Sequence, residues 1–142
     1  NTPLPHIVKG DCVEVGKMID FQNGSFVKLK PVSPATTGQL LQPIMVQGEQ
    51  IVCAFQGIRD SVTFTNMRIV AINVQGMTGK KKDFTSLPYS KIQAYSIESA
   101  GVFDMDSELE LYFSGLGKVK FEFVGNANVS QICQMISAYV LR

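Results

Sequence analysis

Lys80, Lys81 and Lys82 follow two glycines, Gly76 and Gly79, in the run VQGMTGKKKDF. Such residues could hold a phosphate, because glycines let backbone amides close on an anion and lysines neutralise it. A nucleotide loop, however, needs the spacing G-x-x-x-x-G-K-[ST] and a helix behind it, so that loop amides and the helix N-terminus face the phosphates together. Here Met77 and Thr78 alone separate the glycines, Lys81 follows Lys80, and the next segment, KDFTSLPYS, reads as a strand. A P-loop is excluded. Two readings of the lysines remain open. They could grip an anion such as a phospholipid headgroup together with Arg59 of the GIRDS turn, since a phosphate clamp wants several convergent cations, Arg above all. They could equally form a charged turn that keeps a sheet edge soluble, with Gly76 and Gly79 serving turn geometry.

Acidic residues gather at Glu98, Asp104, Asp106, Glu108 and Glu110, with no basic residue among them. Asp-x-Asp-x-Glu offers oxygen ligands to a hard cation, but a calcium loop needs more ligands and a glycine turn within the loop. A solvated loop and strand edge accounts for the cluster, and no metal or cofactor is implied. Arg59, Asp60 and Arg68 flank one short strand and suggest an ion-pair network around Asp60 that fixes a turn. The single histidine, His6, lies in an irregular lead-in, so acid–base and Cys–His catalysis lack their usual participant. Cys53 and Cys133 fall on apolar patterns and read as core thiols, while nothing near Cys12 marks it as activated. The nine phenylalanines have no basic flanks of the kind that nucleic-acid stacking requires, and read as core.

These residues must be positioned by a chain of 142 residues, the size of one domain. It is 45% hydrophobic and 18% charged, with a formal net charge of +1, so no global field draws it to nucleic acid or a membrane. Three widely spaced cysteines without a C-x-x-C argue against a disulfide framework or a zinc site and point to a reducing cytoplasm. No apolar run approaches the ~20 residues that span a bilayer. No signal-peptide pattern is visible in this chain, which opens on Asn1.

The pattern along the chain is one of short strands closed by one helix. In MIDFQNGSFVKLK, Asn23-Gly24 accepts the positive φ angles of a type I′ turn and suggests a small hairpin. Ser33-Pro34 opens a short helix that Pro43 limits, with proline at the first helical position, where its missing N–H costs nothing. Residues 1–44 are thus expected to form an extension, and 45–142 the main domain. Strands follow at QIVCAFQGI, SVTFT, RIVAINV, KKDFTSL, KIQAYSIES, ELELYF and KVKFEFV. RIVAINV is apolar on both faces, as for a strand covered on each side. In the last hairpin Leu109, Leu111 and Phe113 share a face, as do Val119, Phe121 and Phe123. An even register is required; it is expected to set Phe113 opposite Val119, with Gly115-Leu116-Gly117 as the loop and Gly117 left-handed. Finally Val129, Ile132, Cys133, Ile136, Tyr139 and Val140 recur at helical spacing, with Asn128 and Gln131 as a capping box. Seven strands and one amphipathic helix predict an antiparallel sheet closed or half-closed by that helix.

From Pro43 to Leu141 the sequence resembles the bacterial pleckstrin-homology (PH-like) domain family of uncharacterised proteins. The residues that carry the resemblance are Gly48-Glu49, Arg59-Asp60, Phe64 to Arg68, Gln75 to Lys81, Leu87 to Ile92, and Glu98 to Leu111. The resemblance implies a mainly β, PH-like barrel of two near-orthogonal antiparallel sheets, with four and three strands, capped by the C-terminal α-helix. It also implies a non-catalytic module whose relatives look like self-assembling, ring-forming domains. In PH domains that bind phosphoinositides, the first strands and the third-to-fourth loop grip the headgroup; Lys80 to Lys82 match that loop, but the first connection offers only Arg59, beside Asp60. On the family topology, Lys80, Lys81 and Lys82 lie toward one end of the barrel and Asp104, Asp106 and Glu108 toward another, an arrangement suited to head-to-tail contact. The reading is therefore a cytoplasmic interaction or scaffolding module, homo-oligomeric, with an unknown protein partner possible. It has no nucleic-acid site and no integral membrane segment. Peripheral membrane contact through the lysine turn is the alternative.

Overall fold

Ser33 and Pro34 open the first helix as their types dictate. The Ser33 hydroxyl accepts from the N–H of Ala35 at 3.3 Å, and Pro34 sits in the first turn of α1, Pro34–Leu41. A 3₁₀ turn, Gln42–Ile44, carries Pro43 and ends this segment. The computed structural model describes residues 26–75, 81–99, 106–125 and 129–142. The Asn23-Gly24 turn and the Asn128 cap lie outside them.

Strand β1, Phe26–Val32, precedes α1; β2 (Ile51–Gln56), β3 (Asp60–Thr65), β4 (Arg68–Gln75) and β5 (Lys81–Pro88) follow it. A second 3₁₀ turn, Tyr89–Lys91, leads into β6 (Ile92–Ser99), β7 (Ser107–Phe113), β8 (Gly117–Phe123) and helix α2 (Val129–Val140). The described residues thus hold eight strands rather than seven, joined in one sheet of order β5-β4-β3-β2-β1-β8-β7-β6. Both antiparallel groups are present, β2 to β5 and β6 to β8, but they are not separate sheets. β1 pairs antiparallel with β2 and parallel with β8, which satisfies the backbone of both and merges them. The second arm of the expected N-terminal hairpin is therefore this central strand.

The merged sheet curls around one apolar interior. Phe55 from the first group meets Phe123 from the second edge to face at 4.8 Å, and Phe26 meets Phe121 likewise at 5.4 Å. Leu109, Leu111, Phe113, Val119 and Phe121 fill the same space. Helix α2 covers the gap between β5 and β6: Ile132 and Ile136 are buried in the core, Tyr139 stacks on Tyr89 at 4.7 Å, and Ser137 shares a hydrogen bond with Tyr95 at 2.8 Å. Each buried isoleucine contributes roughly 1.5–3 kcal/mol. Cys53 packs half-buried against this core. Cys133 is half-buried but outside it, where Met135 packs in its stead.

RIVAINV is covered on both faces, as its pattern requires. Ile69 and Ala71 enter the interior, whereas Val70 and Ile72 meet Leu41 of α1 on the convex side, with Ile44, Met45, Ile51 and Phe84 around them. Thr63 donates to Thr37 at 3.0 Å and pins α1 there.

The last hairpin corrects its expected register by one step of two residues. Phe113 pairs with Gly117, Leu111 with Val119 and Leu109 with Phe121, so the apolar faces still match and the loop is Ser114 to Leu116. Gly117 has φ 95°, left-handed as expected. Each register sets one pair of glutamates face to face, Glu110 and Glu122 in the expected one and Glu108 and Glu122 in the observed one; only the observed one also opposes Glu110 to Lys120.

Candidate functional site

The ends of β2 and β4 and the beginnings of β1, β3 and β5 lie at the same end of the sheet, because these strands alternate in direction. That geometry gathers residues distant in sequence. Lys82 stands opposite Val74 and Lys81 opposite Gln75, while the Val74 N–H donates to the Arg59 carbonyl at 3.0 Å. Arg59 and Lys82 thus flank the same rung of β4 from either side, with Arg59, Lys81 and Lys82 all exposed. Lys80 falls outside the described residues. Between β2 and β3 the turn Gly57-Ile58-Arg59 is closed by the Gly57 N–H donating to the Asp60 carbonyl at 2.7 Å. Ile58 at its tip is 92% exposed. The tip presses against β1, since a Cβ on Gly57 would stand 3.1 Å from the Val27 carbonyl oxygen.

Lysines on β1 complete this end, and sequence reasoning passed over them. Lys30 pairs with Gln56, the last residue of β2, and Lys28 lies further along β1 toward this end. Between Phe26 and Leu29 the strand is irregular, and Lys28 has φ 55°, an uncommon left-handed conformation for a side-chain-bearing residue. The carboxylates at the same end turn to the face opposite Lys82. Asp60, Asn73 and Asp83 occupy one cross-strand row, in step with the interior residues Val62, Ala71 and Leu87. Asn73 Nδ2 donates to Asp60 and Thr85 donates to Asp83, while burial pushes the Asp60 carboxyl above its usual range. Lys82 thus lies on the convex face, whereas Lys81, opposite Gln75 and in step with Asp83, shares the concave side with the carboxylates.

Arg68 does not join Asp60, as the sequence had suggested; it sits at the far end of the β3–β4 hairpin. There its Nε and Nη2 donate to the Glu49 carboxylate at 2.9 Å each, a bidentate pair in which the Glu49 side chain is 0% exposed. The same carboxylate accepts from Thr65 Oγ1 at 2.7 Å and from the Val46 N–H at 3.1 Å. These donors, Arg68 first, outweigh the cost of burial and hold the Glu49 carboxyl at about 2. Arg68 also donates to the Ile44 carbonyl at 2.7 Å and to Ser86 Oγ at 2.8 Å, tying the 3₁₀ turn to β5. The Tyr89 hydroxyl donates to the Thr65 carbonyl at 2.7 Å beneath it, and burial pushes that phenol up.

The acidic residues lie on the other strand group. Asp106 is exposed and Glu108 half-buried on β7; Asp104 is outside the described residues. Cross-strand pairing sets Glu98, Glu108 and Glu122 in one row across β6, β7 and β8. Lys120 relieves this row, reaching Glu108 at 3.4 Å and Glu110 at 4.0 Å, and Lys118 reaches Glu110 at 3.8 Å. Glu122 went unnoticed in the sequence because only the register reveals its neighbours.

An apolar crevice of about 220 Å³ opens between β1, β2 and α2, lined by Val32, Val52, Cys53, Phe55, Ile132 and Met135. Burial raises the Cys53 thiol to about 11, so it stays protonated and unreactive at neutral pH. Among the described residues no group of His, Cys, Asp and Glu is placed to hold a metal ion, and no helix is long and apolar enough to cross a membrane.

The sheet order, the capping helix and the brace of motif residues can be set beside known proteins. The sequence model of the bacterial PH domain matches residues 20–140. The chain belongs to the bacterial PH domain family. This bacterial PH domain is 36% identical over 120 residues to the uncharacterized protein YjqA of Bacillus subtilis, covering 83% of this chain and 96% of that one. It is 30% identical over 109 residues to YozO of the same organism, covering 77% and 94% respectively. Among solved structures it resembles a DUF1696 family protein with a pleckstrin-homology domain from Shewanella loihica, at 38% identity and a TM-score of 0.69, over 80% of this chain and 97% of that one. A pleckstrin homology domain from Shewanella amazonensis matches at 35% identity and a TM-score of 0.61, over 84% and 94%. Of the residues that carry the family resemblance, Glu49, Thr65 and Arg68 build the buried brace, whereas Arg59 and Lys81 belong to the exposed end.

Proposed function

We propose that this PH domain is a non-catalytic interaction module that self-associates head to tail, the basic end of one copy meeting the acidic strands of the next. The observation that carries the reading is the separation of charge: Arg59, Lys81 and Lys82 at one end of β2 to β5, against Asp106 and the Glu98–Glu108–Glu122 row on β6 to β8. Lys80 and Asp104 extend the two patches along the sequence. With a net charge of only +1, such separation serves orientation rather than general attraction. Heterologous contacts of this kind close into rings when the rotation permits. The apolar filling of the interior supports a module that works through its surface. Light scattering on a size-exclusion column tests the proposal. A discrete multimer that dissociates as salt rises, and in Lys81→Glu/Lys82→Glu, is the expected result; unchanged assembly in that variant counts against it.

A second reading, anion or headgroup binding through the same basic end, is favoured by one feature. Lys28 and Lys30 on β1 add to Arg59, Lys81 and Lys82, supplying the convergence that a phosphate partner needs. A titration with inorganic phosphate and with anionic vesicles tests it.

A further inference from the structure

The stretch Leu87 to Ile92 carries part of the family resemblance, yet neither function proposed above uses it. Leu87, Tyr89 and Ile92 are buried and Pro88 leads into the 3₁₀ turn, as the fold requires. Ser90 and Lys91 are exposed, and the fold gives them no task. They stand on the rim of an open cleft of about 370 Å³, at the corner where β5 turns into β6 and beside the β7–β8 loop. Small-ligand clefts measure about 300–1,000 Å³.

The floor of this cleft is apolar, formed by the buried side chains of Leu87, Ile92 and Phe113. The rim is polar and exposed, with Ser86, Ser90, Lys91, Gln93 and Ser114. Ser86 Oγ accepts from Arg68 Nη1 at 2.8 Å, so the proton of that hydroxyl is left to donate elsewhere. Gln93 is the extra residue of an irregularity between β6 and β7, where Ile92 pairs with Phe113 and Ala94 with Tyr112. Bulges of this kind re-aim a side chain, and this one sets Gln93 on the cleft.

Charge narrows the ligand. Among the described residues that line the cleft there is no carboxylate, and Lys91 is the one charged side chain. The Arg68 guanidinium behind Ser86 is already balanced by Glu49. One ammonium balances one negative charge, which a carboxylate carries; a phosphate monoester carries about −1.5 to −2. The apolar floor favours a ligand with a hydrocarbon body, because a bare ion gains nothing from leaving water there.

We propose that this cleft binds a small organic carboxylate, its apolar body on Leu87, Ile92 and Phe113, its charge on Lys91 and the rim hydroxyls as further donors. The site lies at the other end of β4 and β5 from Lys81 and Lys82, since Arg68 pairs with Pro88 and Gln75 with Lys81. It depends on neither function proposed above.

Titration of the isotope-labelled full chain with phenylpropionate, followed by amide NMR shifts, tests the proposal. Shifts at Ser86, at Ser90 to Gln93 and at Phe113 to Leu116 should saturate at millimolar probe. Acetate lacks the body and phenylpropanol lacks the charge, so each should bind about tenfold more weakly. Lys91→Gln should weaken the acid about tenfold and leave the alcohol unchanged, which shows that the cleft is intact; Lys91→Arg should keep the acid bound. Shifts that never saturate overturn the proposal. So do shifts confined to Arg59, Lys81 and Lys82, which anion binding at the basic end would give instead. Acetate binding as tightly as phenylpropionate removes the apolar floor from the site, and an unchanged affinity in Lys91→Gln removes the charge; either result overturns the proposal.

Discussion

At one end of the β3–β4 hairpin, Glu49, Thr65 and Arg68 direct their polar atoms at one another and at the backbone of the 3₁₀ turn; at the other, Ile58, Arg59 and Lys82 face solvent. Both ends contain a basic residue beside a strand terminus, and both lie within stretches that carry the family resemblance. What separates them is burial with satisfaction. A carboxylate with four donors around it is committed to the fold, whereas an isoleucine 92% exposed on a tied turn contributes nothing to stability and is available to a partner.

The sharpest way to break this contrast is to remove one member of the buried pair. Arg68→Ala leaves the Glu49 carboxylate buried without its cation, which costs about 3–5 kcal/mol and should lower the melting temperature by roughly 10 °C. Circular dichroism melts check this. Slightly smaller is the pH effect. The Glu49 carboxyl stands at about 2 rather than 4.5, so its stabilisation is complete above pH 4.5 and is lost as pH falls toward 2. The loss amounts to about 3 kcal/mol. Urea unfolding at several pH values should show this slope, and Glu49→Gln should flatten it; an equal slope in the variant would locate the effect elsewhere.

Gly57→Ala brings a methyl group to 3.1 Å from the Val27 carbonyl. It should cost about 1–3 kcal/mol and disturb the β1 bulge, so this substitution touches stability and vesicle binding together. Glu122→Lys replaces one carboxylate of the cross-strand row and should raise stability by about 0.2–1 kcal/mol, while weakening any head-to-tail assembly measured by light scattering. Smallest in stability is Ile58→Ser, expected within ±0.5 kcal/mol of wild type. A large loss there would mean that Ile58 packs in the native fold, and would dissolve the contrast between the two ends.

Much of the fold was legible locally. Ser33 and Pro34 opened α1, the seven expected strands all formed, and the strand covered on both faces was RIVAINV, because periodicity records which faces are covered. The strand missed as part of the barrel was β1. Its sequence, FVKLKPV, alternates weakly, its proline discourages the reading of a central strand, and its partners lie far along the chain. The site was legible only as residue types. Lys81, Lys82 and Arg59 were found because lysine runs and turn cations announce themselves; Lys28, Ile58 and Glu122 were not, because their meaning depends on neighbours from other strands.

Alternation, turn chemistry and helical spacing act over a few residues, so the sequence by itself determined the elements, the buried face of each and the capping helix. Which Arg meets which Glu, how two strand groups join and which end gathers cations depend on contacts between distant segments. Glu49 and Arg68 are nineteen positions apart, and Arg59 meets the rung of Lys82 only through β4. Such pairings are set by strand order and register, which the burial of all the apolar faces decides together. The tertiary structure therefore sent Arg68 to Glu49 rather than to Asp60, slipped the last hairpin by two residues and made β1 the seam of the sheet.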